Sequence, residues 1–130
     1  MRTYNYKLNS DYHYYNIRLK GIYLATEYVF ISDGYITIKK GYAWNGCSYV
    51  PDFKSTYYAS LVHDALYQYK INKKIADLIF YDLMKRDKFI GRWLYYKGVR
   101  IFGGLFYWFK IFFIKLLQIL IICGSFAILR

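Results

Sequence analysis

The segment TYYASLVHDALYQ, Thr56 to Gln68, holds one of only two histidines in the chain. An aspartate, Asp64, follows His63 directly, and a tyrosine, Tyr67, stands four residues on. An imidazole titrates near neutrality, so a positioned His63 is the natural candidate for a general base. Such a base needs a carboxylate to orient it and to stabilise its protonated form, and Asp77 is the candidate for that partner. Tyr67 lies one helical turn from His63 on the same face. Asp64 points about 100° away from His63, free to hold a cation. Upstream, the glycine-containing stretch Tyr42-Ala43-Trp44-Asn45-Gly46 could lend backbone carbonyls to the same ion, because Ca²⁺ takes many hard oxygen ligands. The bland alternative is that His63 and Asp64 sit on the wet side of an amphipathic helix, where such residues need no purpose.

The elements that would position these groups follow from periodicity. Residues from about Tyr4 to Trp44 read as strands: HYYNIRL alternates, and YVFISDGYITI is two β-rich runs around Asp33-Gly34, a hairpin dipeptide. GYAWNGCSYVPDF reads as a loop punctuated by Gly41, Gly46 and Pro51. A helix is predicted over Lys54–Lys70, capped by Ser55 or Thr56, with Tyr58, Leu61, Val62, Ala65, Leu66 and Tyr69 on an apolar stripe. A second helix is predicted over Lys74–Asp87, with Ile75, Ala76, Ile79, Phe80 and Leu83 facing the core. The short connection INKK makes the two an antiparallel pair, which brings His63 and Asp77 to similar height. A third helix runs from about Phe89 to Phe102 and stops at Gly103-Gly104. The expected fold class is therefore α+β: a small N-terminal antiparallel sheet, an antiparallel helix pair, a third helix and a hydrophobic C-terminal helix. The expected division is an α+β domain over 1–104 and a hydrophobic segment over 105–130.

The aromatic content of 24% excludes a disordered chain, and 130 residues suit one small domain with its own core. A net charge of +11 suits an anionic partner, either nucleic acid or anionic lipid. The Lys and Arg residues are scattered without a nucleic-acid motif, so lipid is the preferred partner. Cys47 and Cys123 lie in different settings and are expected as reduced thiols. The start of the chain lacks the apolar stretch of a signal peptide. The segment LFYWFKIFFIKLLQILIICGSFAILR, from Leu105, is apolar all round apart from Lys110, Lys115 and Gln118. It suits a tilted transmembrane or membrane-inserting helix, a helix buried against partner chains in an assembly, or an ordinary core helix. If it spans a bilayer, the positive-inside rule puts the N-terminal domain in the cytoplasm.

The blocks KKGYAWNGCS, TYYASLVHDALYQ, KKIADLIFYDLM and YYKGVRIFGG resemble, in order, those of an uncharacterised family found in tailed phages and prophages. The resemblance covers roughly Gly41 to Gly104; Asn45 stands where that family usually has Asp, and the extension after Gly104 is not part of its pattern. The same blocks look more distantly like a phospholipase A2 site of the compact parvovirus type. That likeness implies His63 as the base that activates water, Asp77 as its orienting acid and Tyr67 as a hydrogen-bonding residue of the site. It implies Asp64 as the side-chain ligand of a Ca²⁺ ion whose shell is completed by the carbonyls of Tyr42, Trp44 and Gly46. The repeated glycines of the phospholipase loop and its bracing cysteine pairs are absent here. The expected function is Ca²⁺-dependent hydrolysis of lipid esters by a membrane-associated phage protein. The alternative is a non-enzymatic virion or membrane-assembly subunit anchored by its C-terminal helix.

Overall fold

A computed structural model describes residues 4–47 and 50–102, together with 116, 118 and 119. Strands β1 (Tyr6–Lys7), β2 (Tyr12–Tyr15), β3 (Leu24–Ala25), β4 (Val29–Ser32), β5 (Tyr35–Ile38) and β6 (Ala43–Trp44) precede helices α1 (Tyr57–Gln68), α2 (Lys73–Arg86) and α3 (Arg92–Phe102). The architecture is α+β, as the period-2 and period-3.6 patterns predict. The strands form two antiparallel sheets, a four-stranded one in the order β2-β5-β4-β3 and a two-stranded one joining β1 to β6. Asp33 and Gly34 both take positive φ, 54° and 87°, and close the β4–β5 hairpin with a two-residue turn. The mirror-image turn matches strand twist, and Gly reaches it without a Cβ penalty.

Val29, Ile31, Ile36 and Ile38 point from the sheet into one continuous core with Leu61, Leu66, Ile79 and Leu83 of the helices. The helix pair is tied to the sheet side by Asp82 of α2, whose carboxylate accepts from Arg18 Nε and Asn16 Nδ2, both at 3.0 Å. Arg86 donates to the Tyr12 hydroxyl at 3.1 Å. Among the described residues no helix is long and apolar enough to cross a membrane. The hydrophobic helix expected over 105–130 lies outside the described residues, apart from Leu116, Gln118 and Ile119.

Two local expectations need correction. The stretch beginning at Gly41 is not loop throughout: Ala43–Trp44 is strand β6, paired Tyr6↔Trp44 and Lys7↔Ala43. Tyr42 and Trp44 are both buried, which is the period-2 signature of a strand. Helix α1 is also drier on its polar side than expected. Ser60 and His63 are buried, whereas Tyr58 of the predicted apolar stripe lies at the surface, stacked on Tyr12. The reason is that α1 is covered on two sides: α2 packs along one, and on the other Trp44 Nε1 donates to Ser60 Oγ at 3.1 Å.

Candidate functional site

The site is built around one carboxylate. Asp77 of α2 has 0% of its surface exposed. Its Oδ1 accepts from His63 Nε2 at 2.8 Å and from the Tyr67 hydroxyl at 2.5 Å, both from α1. Its Oδ2 accepts from Lys73 Nζ at 3.0 Å and from Arg100 Nη1 at 3.1 Å, so α3 contributes as well. Lys73 Nζ also donates to the carbonyls of Val99 and Arg100 at 3.0 and 3.2 Å. The ammonium thus sits at the C-terminal end of α3, where open carbonyls and the helix dipole favour a cation. The same contact brings the first turn of α2 against the last turn of α3.

Local sequence explains the convergence. Asn72 caps α2 by accepting from Ile75 N–H, which fixes where the helix begins. Lys73 and Asp77 are then one turn apart on one face, the spacing of a helical ion pair. His63 and Tyr67 are likewise one turn apart on α1, and both reach across the groove to Asp77. The His63 ring is clamped between Tyr67 and Phe80, with ring centroids 4.1 and 4.6 Å away. It is only 8% exposed.

Burial alone would raise the Asp77 carboxyl, but hydrogen bonds from His63, Tyr67 and Lys73 outweigh it and hold the group at about 2. Asp77 is therefore ionised at neutral pH, and an ionised carboxylate only accepts. His63 Nε2 must carry the proton in that bond. Burial first, and then the Asp77 contact, raises the Tyr67 phenol, so it too stays a donor. Among the described residues the one hydrogen bond to the His63 ring is at Nε2. Among the described residues no fully buried side-chain nitrogen or oxygen lacks a partner. Nδ1 accordingly keeps a lone pair with no hydrogen-bond partner among the described residues. Chemically, the arrangement is a base whose far nitrogen is held by an acid and whose near nitrogen can take a proton.

The residues expected to hold Ca²⁺ do not converge in the same way. Asp64 is half-buried and faces the side chain of Tyr42, whose hydroxyl lies 3.4 Å from Asp64 Oδ2 and donates to Gln68 Oε1 at 2.9 Å. The Tyr42 carbonyl accepts from Leu8 N–H at 2.8 Å. Trp44 is inside strand β6. Gly46, at φ +76°, packs on Asp52, whose Oδ1 accepts from Cys47 N–H at 2.6 Å and whose Oδ2 accepts from the Tyr6 hydroxyl at 3.1 Å. That carboxylate braces the turn. Ca²⁺ takes roughly six to eight oxygens, drawn from carboxylates, carbonyls and waters. Among the described residues no group of three or more His, Cys, Asp or Glu is placed to hold a metal. With the Tyr42 carbonyl engaged by Leu8 N–H and the Asp64 carboxylate facing the Tyr42 hydroxyl, the described residues do not gather a Ca²⁺ shell.

Sequence reasoning missed Lys73 and Arg100. The spacing of Lys73 to Asp77 was a readable signal; Arg100 had none, because its place depends on how α3 docks.

Fold and site together define an α+β domain whose helix pair buries a carboxylate-oriented histidine. The chain belongs to a family of proteins of unknown function (DUF1353), whose model matches residues 22–99. The match starts before β3, upstream of the Gly41 block that carries the sequence resemblance, and takes in His63, Tyr67, Lys73 and Asp77. No curated protein and no solved structure matches the chain.

Proposed function

We propose that this domain is a hydrolase in which His63 is the general base and Asp77 its positioning residue, with carboxylic esters of lipids as the substrate class. One observation carries the proposal: the 2.8 Å bond from His63 Nε2 to a fully buried Asp77, which leaves Nδ1 with no hydrogen-bond partner among the described residues. In the reaction Nδ1 takes a proton from water as the water oxygen attacks the ester carbonyl. The tetrahedral intermediate then breaks its bond to the alcohol oxygen, which leaves with the proton from Nδ1. The products are a fatty acid and a lysolipid. The chain's charge of +11 favours anionic lipid. The phage setting implied by the sequence resemblance would put the protein at a host membrane or in a virion.

A second reading has its own observation. Lys73 and Arg100 already balance the Asp77 charge through Oδ2. The carboxylate is then a junction that locks three helices, in a non-enzymatic assembly subunit. Fatty-acid release from phosphatidylglycerol vesicles decides between the two, with full-length protein and its His63→Gln variant, in chelator and in millimolar Ca²⁺. The hydrolase reading expects turnover that survives chelation and falls about a hundredfold or more in His63→Gln at unchanged melting temperature. No turnover by the unmodified protein in either condition leaves the junction reading.

A further inference from the structure

Helix α3 carries two apolar stripes. Tyr95, Tyr96 and Val99 pack against the core. On the opposite side Trp93, Leu94 and Ile101 are 60%, 72% and 63% exposed, and Ile90, on the turn just before the helix, is 95% exposed. Trp93, Leu94, Lys97 and Ile101 follow the one-face spacing of a helix. Lys97 Nζ lies 4.7 Å from the Trp93 ring centroid, so its stem lies along the stripe while its ammonium sits over the aromatic face. Residues 88–102 contain Lys88, Arg92, Lys97 and Arg100 and no acidic residue. A tryptophan and aliphatic residues facing outward, with Lys97 among them and no acidic residue over 88–102, is the composition of a helix that lies in the plane of a bilayer interface. Tryptophan is favoured at that depth and Lys97 can snorkel to the headgroups.

We infer that the exposed stripe of α3 is the surface by which this domain seats on anionic lipid. The inference rests on the proposed hydrolase for the purpose of the seat, since Arg100 links α3 to Asp77; the binding itself needs none of the chemistry. Trp93 is its own probe. Trp44 is fully buried and supplies a constant emission that a Trp93→Phe control subtracts, and a Trp108→Phe background removes the third tryptophan. In full-length protein, vesicles containing phosphatidylglycerol should shift Trp93 emission to the blue, whereas pure phosphatidylcholine should not. Leu94→Glu combined with Ile101→Glu should weaken partitioning about tenfold or more, and Lys97→Gln about fivefold. The shift should persist in His63→Gln, so a failure of the hydrolase proposal leaves this result standing. An equal shift on phosphatidylcholine, or no shift on either vesicle, overturns the inference. So does a shift that persists in the double glutamate variant, because another part of the chain then binds the lipid. Trp93 emission already blue without lipid also overturns it, because the stripe is then covered by protein.

Discussion

His63 Nε2 and Asp77 Oδ1 lie 2.8 Å apart on neighbouring helices, fourteen residues apart in the chain. The carboxylate in that contact is buried, ionised and shared by three helices, so its protonation is coupled to folding.

Stability should therefore fall in acid. Asp77 is held at about 2 in the folded protein, against about 3.9 for an unfolded aspartate. The unfolded chain binds its proton first, so the stabilisation is complete above pH ~4 and is lost as pH falls through the folded value near 2. The amount is roughly 2–3 kcal/mol. Urea melts from pH 6 down to pH 2 measure it. Asp77→Asn should lose this component and start lower by on the order of 3 kcal/mol, because Lys73 and Arg100 lose their counter-charge. Equal acid sensitivity in wild type and Asp77→Asn would place the titrating group elsewhere.

Tyr67→Phe removes one donor from a buried charged acceptor. A hydrogen bond to a charged group contributes about 1.5–3 kcal/mol, and the denaturation midpoint should drop accordingly. A neutral substitution would show that His63, Lys73 and Arg100 satisfy Asp77 without the phenol.

The turn after β6 should be intolerant of a side chain. A Cβ on Gly46 would lie 2.5 Å from Asp52 Oδ1, in a backbone conformation with φ +76°. Gly46→Ala should cost about 1–3 kcal/mol in a thermal melt. If it melts with the wild type, Asp52 is not the brace of this turn.

Much of this was legible in residue patterns. Asp33-Gly34 between β-rich runs marks a hairpin because few other dipeptides reach positive φ. The height of His63 against Asp77 follows from a short link between two helices. Lys73 was readable from its i,i+4 spacing to Asp77. Strand β6 was obscured because Gly41 and Gly46 punctuate the stretch more loudly than the alternation of Tyr42 and Trp44. The burial of His63 was not legible either. Helical periodicity describes one apolar face; His63 lies off it and is covered by Asp77 and Phe80 of α2, while Trp44 covers Ser60 on another side, contacts made only in the folded chain. Arg100 reaches Asp77 from twenty-three residues away, and no local pattern encodes that docking.

The central claim is that Asp77 fixes His63 with the proton on Nε2 and a free lone pair on Nδ1. Nitrogen-15 NMR of the imidazole tests it most directly, in a His13→Gln background that leaves a single histidine. At a pH where the ring is neutral, the account predicts a protonated, Asp77-bonded Nε2 and an unprotonated Nδ1, with the preference weakened in Asp77→Asn. A ring protonated on Nδ1, or one whose tautomer is indifferent to Asp77→Asn, would contradict it.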